Sequence, residues 1–401
     1  MKRLTLHIGT HKTGTTTLQR FMLLNAPLLE GQGLCAPKTP SKYPHKNQDK
    51  TACFLHYLAL KDLEGEYPHK GLEDLVEADR AVVAKAAQAN DHVYLSEERI
   101  WYTGAQDAGY WRSMRTVAEE IGFDEFRLVV YLRRQDQLAV SMWEQSAKRP
   151  SLTSSLNDYL ETETLKNTLD YLKVLRDIEE VFGHESIVVR VFDRKTLIEG
   201  DICHDFCDAI GIQWDDAFEI PQDLNLSLPF SLAEVKRIAN AAPSMKKTDG
   251  HYRHIAYQAT LATQSMSSEL SSVSAKEFKQ LVESHRADNA TVAREYVGQP
   301  EGDLFAPGKK KQQSLEAFSP EMLHDMCLFF SEAIAVEHDH NIKLKQQVTA
   351  LEKRFAKIEA EFPTATKALK RIKRLENSYE NSLFMKIERA IRGRDRLERK
   401  Q

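Results

Sequence analysis

Short apolar runs that stop abruptly at polar residues recur through the first half of the chain. Continuous runs of this length are typical of strands that a parallel sheet buries on both faces. Amphipathic stretches with helical spacing lie between them, and this alternation predicts an α/β domain built on a parallel sheet with right-handed crossovers. The predicted strands are Leu4–Ile8, Val93–Leu95, Leu128–Leu132 and Ile187–Phe192.

The predicted helices fill the segments between these strands and continue beyond the last one. Apolar periodicity predicts helices beginning near His56, over residues 73–90 and over residues 168–182, and the pattern is helical again from about residue 225. Residues 26–52 are rich in Pro, Gly, Lys and Asn, so we predict a long loop there. The whole pattern is that of a parallel sheet flanked by helices.

The last part of the chain differs in pattern and in charge. Its apolar residues recur at alternating spacings of four and three, as in the seam of a coiled coil, and residues 364–401 hold twelve Lys/Arg against five Asp/Glu. We therefore predict one domain over residues 1–335 and, over residues 336–401, a helical coiled coil with a basic tail that self-associates or touches the inner face of a membrane. The seam residues are Leu344, Val348, Leu351, Phe355, Ile358 and Phe362.

Composition narrows the function classes. With 401 residues, 42% of them hydrophobic, the chain is long enough for a large core, and its formal net charge of -4 argues against a general nucleic-acid binder. Five scattered cysteines fit neither a disulfide framework nor a zinc site. The apolar run at the N-terminus is too short for a signal peptide, and no run reaches the roughly 18 apolar residues of a membrane span, so we expect a cytoplasmic protein.

Residues 9–19, GTHKTGTTTLQ, form the strongest local signal. Gly9 and Gly14 allow a tight turn between the first strand and a helix that begins near Thr15, and the N–H groups at such a helix start bind anions. The glycine spacing fits the nucleotide P-loop, but Thr15 stands where that motif has lysine, and Lys12 supplies a cation from the other side of the loop. The pattern predicts a phosphate or sulfate site, whereas the plainer alternative is a capped helix.

Two glutamates follow the second predicted strand. Because the carboxyl ends of parallel strands meet at one edge of a sheet, we expect Glu97 and Glu98 to lie beside the glycine loop. Either one is a candidate general base, and the alternative is that they are first-turn acids that stabilise the next helix. His56 is a third candidate, although a lone histidine is more often structural.

A third set of polar residues follows the third predicted strand. Leu128–Leu132 ends at Arg133, and Ser141 lies eight residues later, in the predicted helix. A guanidinium at a strand end and a hydroxyl in the following helix can converge on one anionic group. The alternative is an ordinary surface arginine at the end of a strand.

The loop sequence K-T-G-T-T-T-L-Q and the spacing R-x7-S after a strand resemble the motifs of sulfotransferases that use 3′-phosphoadenosine 5′-phosphosulfate (PAPS), and residues 1–335 are similar to bacterial, carbohydrate-type members of that family. The resemblance implies a P-loop NTPase-like fold and transfer of a sulfuryl group to a hydroxyl or amine of an acceptor, with a carbohydrate as the expected acceptor and no metal required. It also implies that Glu98 rather than Glu97 is the base, and that Arg133 and Ser141 bind the 3′-phosphate. The implied 5′-phosphosulfate site consists of Lys12, Thr13, Gly14, Thr15, Thr16 and Thr17.

Two other functions stay open at the level of the residues. A P-loop kinase or NTPase would need a lysine after Gly14 and a magnesium-binding aspartate at the end of the third strand, where this chain has Arg133 and Arg134. A non-catalytic scaffold would use the coiled coil and a degenerate nucleotide fold. Nucleotide preference distinguishes the first alternative, and full cellular activity after replacement of the loop lysine and both glutamates would favour the second.

Overall fold

The structure is a computed structural model that describes residues 1–40, 43, 49–147, 151–221, 230–241, 275–299, 302–306, 330, 338, 341–357 and 372–378. The chain divides into two compact units, Met1–Leu328 and Phe329–Gln401. The domain boundary between residues 335 and 336 stays a prediction.

Four parallel strands form the sheet of the first unit. They are β1 (Arg3–Gly9), β2 (His92–Ser96), β3 (Glu125–Leu132) and β4 (Ile187–Val191). Their order across the sheet is β2-β1-β3-β4, and Leu6 on β1 lies opposite Leu95 on β2 and Leu128 on β3. The predicted α/β class, a parallel sheet flanked by helices, is confirmed.

Helices connect the strands and continue after β4. Short 3₁₀ turns also occur at His184–Ser186 and Ile198–Gly200. The α-helices of the described residues in the first unit are α1 (Thr15–Leu24), α2 (Ala26–Gly31), α3 (Cys53–Glu64), α4 (Glu73–Ala89), α5 (Arg99–Gln106), α6 (Gly109–Ile121), α7 (Gln135–Ala147), α8 (Leu156–Leu160), α9 (Glu163–Leu169), α10 (Tyr171–Phe182), α11 (Ile202–Ile210), α12 (Phe230–Ala241), α13 (Ala275–Ser284) and α14 (Arg286–Tyr296).

The sheet separates two apolar cores. On β3, Leu128, Val130 and Leu132 lie in one core, whereas Val129 and Tyr131 lie in the other, because successive strand residues point to opposite faces. The first core includes residues of α3, α4, α5, α6 and α10, and the second includes residues of α1, α2 and α11. Burial on both faces explains the uninterrupted apolar run Leu128–Leu132 in β3.

Two predicted boundaries are wrong. The predicted loop over residues 26–52 contains α2, because Pro27 occupies the first turn of this helix, where the fixed φ and missing N–H of proline are tolerated. The predicted helix over residues 168–182 is divided between α9 and α10 at Asp170, whose carboxylate accepts a hydrogen bond from the N–H of Lys173 and caps α10.

The described residues of the second unit are 330, 338 and two helical stretches, residues 341–357 and 372–378. The first carries the seam residues Leu344 to Phe355, while Ile358 and Phe362 lie outside the described residues. None of the helices in the described ranges combines the length and hydrophobicity that crossing a membrane requires.

Candidate functional site

The candidate site lies at the carboxyl ends of β1, β2 and β3. Because β2 and β3 lie on opposite sides of β1, the chain reverses its direction of winding next to β1. In open parallel sheets such a switch point leaves a crevice at the strand ends, and ligands bind there. The glycine loop after β1 and Arg133 after β3 flank this position.

The glycine loop is held against β3 at its start. The backbone N–H and the hydroxyl of Thr10 both donate to the carbonyl oxygen of Tyr131, at 3.2 and 3.0 Å. The hydroxyl of Thr13 donates to the carbonyl oxygen of Thr10 at 2.7 Å. Thr13, which the resemblance assigns to the 5′-phosphosulfate, thus uses its hydroxyl proton to brace the loop from within.

Two residues of the loop have left-handed backbone conformations. Gly14 has φ 76°, and a Cβ placed there would lie 3.3 Å from Ile202 and 3.4 Å from Phe192. Lys12 has φ 64°, a conformation that non-glycine residues adopt uncommonly. Glycine is therefore required at position 14 both by conformation and by the close approach of the segment after β4.

Helix α1 begins directly after this turn without a cap from its own side chains. Gly14 is the N-cap residue, no side chain accepts a hydrogen bond there, and the first turn holds no acidic residue. The first N–H groups of a helix have no intrahelical acceptor and carry the positive end of its dipole. Thr15 is buried, whereas Thr16 and Thr17 are partly exposed, so the start of α1 fits an anionic oxygen group.

Arg133 reaches from the end of β3 to the same loop. Its Nη1 donates to the carbonyl oxygen of Lys12 at 3.1 Å, and its own carbonyl oxygen accepts the hydroxyl of Tyr171 at 2.6 Å. Burial lowers the pKa of Arg133 from its usual value. The neighbouring Arg134 instead pairs with both carboxylate oxygens of Asp136, each at 2.7 Å. Of these two arginines, Arg133 is the one directed at the loop.

Ser141 lies in the second turn of α7, the helix that follows Arg133, and is buried. It therefore belongs to the same strand-and-helix unit as Arg133. A shared anion for the two side chains stays a prediction.

Glu97 lies in a buried cluster of ion pairs. Its side chain is 0% exposed, and its carboxylate lies 2.9 Å from Nζ of Lys50 and 2.8 Å from Nη2 of Arg99. It also accepts hydrogen bonds from Sγ of Cys53 at 2.9 Å and from the backbone N–H of Arg99 at 3.0 Å. Burial alone would raise its pKa, but the two cations hold the pKa of Glu97 well below its usual value. Glu97 is therefore ionised at neutral pH, at the start of α5.

Glu98 faces the glycine loop. Its carboxylate lies 2.9 Å from Nζ of Lys50 and 3.4 Å from the side-chain nitrogen of Gln19, and its side chain is 17% exposed. A Cβ at Gly9 would lie 3.2 Å from the carbonyl oxygen of Glu98, so the loop and this residue are in close contact. Although burial would raise it, Lys50 and His11 hold the pKa of Glu98 below its usual value. Glu98 is thus an ionised carboxylate that stays accessible beside the loop.

His56 packs between aromatic side chains, with ring centroids 5.4 Å from Tyr57 and 5.8 Å from Tyr110. It is buried on α3, and its Nδ1 is 2.7 Å from the hydroxyl of Tyr110. Burial, assisted by Arg99, lowers the pKa of His56 to about 3. Trp101 is also a core residue and donates to the carbonyl oxygen of Thr168 at 3.2 Å.

The structure adds residues that the sequence did not single out. Lys50 bridges the two glutamates, and Gln19 contacts Glu98. His11 of the loop packs edge to face against Tyr102, with ring centroids 5.8 Å apart. The position of His11 inside the motif was a usable signal. Gln19 closes the same motif, whereas Lys50 had no such signal, because it comes near Glu98 only in the folded chain.

Comparisons with known proteins leave the activity open. No protein-family model matches this chain. Over 172 residues, 43% of this chain, the sequence is 29% identical to an uncharacterized protein of Archaeoglobus fulgidus, and the match spans 46% of that protein, about half of its length. The crystal structure of a sulfotransferase from Alicyclobacillus acidocaldarius is similar at a TM-score of 0.35 and 14% identity, over 63% of this chain and 99% of that chain. These similarities assign no activity, so the function is argued from the site.

The ion pairs of Glu97 predict a pH-dependent loss of stability in Glu97→Gln. Removing one partner of a buried pair costs about 3 to 5 kcal/mol. A carboxylate with a depressed pKa contributes stability above its unfolded pKa and loses that contribution as the pH falls through its folded pKa. Denaturant unfolding should therefore show a large deficit at pH 7 that shrinks progressively below about pH 4.

The matched control is Glu180→Gln, because Glu180 forms an ion pair with Arg112 in which both side chains are mostly exposed. It should change the free energy of unfolding by about 1 kcal/mol or less. Equal effects of the two variants at pH 7 would show that Glu97 is not the buried anchor described here.

Proposed function

We propose that this protein is a PAPS-dependent sulfotransferase that moves a sulfuryl group to a hydroxyl or amine of an acceptor, with a carbohydrate as the acceptor class. The proposal rests on the motif resemblance of the loop and of Arg133, together with one observation about their arrangement. The Arg133 guanidinium, at the end of β3, donates to the carbonyl of Lys12 in the loop that ends at the uncapped start of α1.

This contact bears on the choice of ligand because PAPS carries anionic groups at both its 5′ and 3′ positions. A site for it needs donors at two separate places. The backbone N–H groups at Gly14 to Thr17 are suited to the 5′ group, and Arg133 with Ser141 to the 3′-phosphate. The hydrogen bonds of Arg133 within the described residues go to neutral oxygens, of Lys12 and Gln137, while the negative charges of Glu144 and Asp136 also act on its guanidinium.

The residues have distinct roles in this reaction. PAPS, when bound, supplies the sulfuryl group and an anionic leaving group. The start of α1 fixes the 5′-phosphate, and Lys12 stabilises the charge that develops on the leaving oxygen. Glu98 accepts the proton of the acceptor hydroxyl or amine. No metal ion is required in this scheme, since the loop lysine supplies the cation.

A phosphoryl-transferring P-loop enzyme is the principal alternative. Such enzymes use an aspartate at a strand end to hold Mg²⁺. After β3 the nearest aspartate is Asp136, and both of its carboxylate oxygens accept hydrogen bonds from Arg134. This arrangement favours the sulfotransferase proposal, because a carboxylate already paired with arginine is a poor magnesium ligand.

Nucleotide preference tests the proposal without knowledge of the acceptor. The protein should bind 3′,5′-adenosine diphosphate more tightly than 5′-AMP or ATP, with EDTA present. A charge-assisted Arg–phosphate contact contributes about 1.5 to 3 kcal/mol, roughly ten- to a hundredfold in affinity. Arg133→Ala should therefore remove most of the preference and leave 5′-AMP binding nearly unchanged, as measured by calorimetry.

The neighbouring arginine provides the control for that experiment. Arg134→Ala should keep the preference for the 3′-phosphate, since Arg134 pairs with Asp136. A preference for ATP that depends on magnesium would instead assign the protein to the kinase class.

The assignment of Glu98 as the base predicts a selective loss of turnover. Glu98→Gln should lower kcat by about two to four orders of magnitude, because the amide cannot accept the proton. The affinity for 3′,5′-adenosine diphosphate should change little. The readout is the rate of sulfuryl transfer from PAPS to a panel of carbohydrates and amines. Near-normal turnover in Glu98→Gln, with an inactive but folded His56→Gln variant, would make His56 the base.

A further inference from the structure

Lys50 stands between the two glutamates that follow β2. Its Nζ lies 2.9 Å from a carboxylate oxygen of Glu97 and 2.9 Å from one of Glu98. Its side chain is only 11% exposed, so water screens these contacts weakly. One ammonium group therefore serves a fully buried carboxylate and the accessible carboxylate beside the glycine loop.

The backbone around Lys50 is fixed to the end of β2. The N–H groups of Thr51 and Ala52 donate to the carbonyl oxygen of Ser96, at 3.2 and 3.1 Å, and the N–H of Ser96 donates to the hydroxyl of Thr51 at 3.1 Å. Ser96 directly precedes the glutamates. The position of Lys50 relative to Glu98 is thus set by main-chain hydrogen bonds and not by the lysine side chain alone.

The two glutamates differ in how much positive charge they receive. Glu97 has Arg99 as a second cation, at 2.8 Å, and a hydrogen bond from Cys53. When Glu98 is protonated, Lys50 still has the ionised carboxylate of Glu97 as its partner. Proton uptake at Glu98 therefore leaves no buried ammonium without a counter-ion, which would be costly.

We propose that Lys50 is a positioning residue for the base: it holds the Glu98 carboxylate ionised and aimed at the glycine loop. While Glu98 carries the proton, the Lys50 ammonium stays in place through its ion pair with Glu97. This inference rests on the proposed function. In the reaction the acceptor oxygen or nitrogen forms a bond to sulfur as the bond from sulfur to the bridging oxygen breaks. The electron pair of that bond stays on the leaving phosphate oxygen, and the acceptor proton passes to Glu98.

The pH dependence of the base follows from the groups that face it. These are Lys50 from the segment before α3, His11 from the glycine loop, Gln19 from α1 and Glu97 from its own segment. Among them Lys50 exerts the largest effect that lowers the pKa of Glu98. Removal of the ammonium should raise that pKa, so that Glu98 is ionised only at higher pH.

The test uses Lys50→Met and Lys50→Arg in the full chain. In Lys50→Met, kcat should fall about ten- to a hundredfold, and the acidic limb of the pH–rate profile should move up by about one to three pH units. The affinity for 3′,5′-adenosine diphosphate should stay within about twofold, since Lys50 contacts neither predicted phosphate site. Lys50→Arg should restore most of kcat and return the acidic limb towards its original position.

The matched control is Lys173→Met. Lys173 also forms an ion pair with a carboxylate, that of Asp177, but this pair lies on the surface of α10. It should leave kcat and the pH profile unchanged. An acidic limb that does not move in Lys50→Met would overturn the role of Lys50, whatever happens to kcat.

A direct titration separates this inference from the proposed function. Carboxylate resonances of ¹³C-labelled glutamate, assigned to position 98 by their loss in Glu98→Gln, report the ionisation of Glu98 without any substrate. An upward shift of the midpoint in Lys50→Met supports the pairing even if the protein transfers no sulfuryl group. An unchanged midpoint overturns it even if the protein is a sulfotransferase.

A second and independent observation concerns the helix over residues 341–357. Its seam residues Leu344, Val348 and Leu351 are 43%, 44% and 46% exposed, so an apolar stripe runs along one side. Lys345 and Glu352 follow this stripe on the same edge, one heptad apart. In an antiparallel pair of identical helices, the edge that carries Lys345 and Glu352 faces the same edge of the other copy. Lys345 of one copy then lies opposite Glu352 of the other, and the two-fold symmetry of the dimer forms this ion pair two times.

We infer that this stripe is the contact surface for a second copy of the same helix in antiparallel orientation. Sedimentation equilibrium of the full chain should give a dimer mass, and Leu351→Asp should give a monomer. Lys345→Glu should weaken the dimer, and the double variant Lys345→Glu/Glu352→Lys should restore it.

Three outcomes would overturn this inference. They are a monomer at all concentrations, a dimer unaffected by Leu351→Asp, and co-sedimentation of the monomer with anionic lipid vesicles that is lost in Leu351→Asp. The last result would assign the stripe to a membrane surface instead.

Discussion

The ionised carboxylate of Glu97 is the contact on which the arrangement of the site depends. It joins separate pieces of backbone, since Lys50 and Cys53 lie at the start of α3 and Arg99 at the start of α5. A charge removed from water costs several kcal/mol unless it is paired, so these segments are stable only as a set. The end of β2 and the start of α3 are thereby fixed beside the glycine loop, and Glu98 obtains a defined place next to it.

The sheet supplies the second constraint, because its strand order brings the loop and Arg133 together. Thr10 donates to the carbonyl oxygen of Tyr131, and Arg133, two residues later and directly after β3, donates to the carbonyl oxygen of Lys12. The loop is therefore held at both of these points by one strand. These contacts within the protein fix the distance between two positively charged groups, the start of α1 and the Arg133 guanidinium. Such preorganisation lowers the cost of binding an anion with two charged ends.

The sequence predicted the parts of the site that are local and missed those that depend on packing. The third strand contains a continuous apolar run, the other strands are largely apolar, and the glycine loop has its chemistry in consecutive residues, so all of these were recognisable. Helix α2 was missed because Pro27 reads as a loop residue even though it suits a first helical turn. Lys50 could not be found, since it is an ordinary polar residue until the tertiary fold brings it within reach of Glu98. Gln19 lay within the loop motif, but its contact with Glu98 could not be predicted from the motif.

The tandem glutamates show how one dipeptide acquires two roles. The sequence left open whether they act as a base or as acids at a helix start. Glu97 accepts the N–H of Arg99 at the start of α5, whereas Glu98, the N-cap residue of that helix, makes no capping bond with its side chain. Neighbouring side chains at the end of a strand point in different directions, so one carboxylate enters the α3–α5 packing and the other meets the loop. Environment, not residue type, then separates a fully buried counter-ion from a carboxylate that stays partly exposed beside the loop.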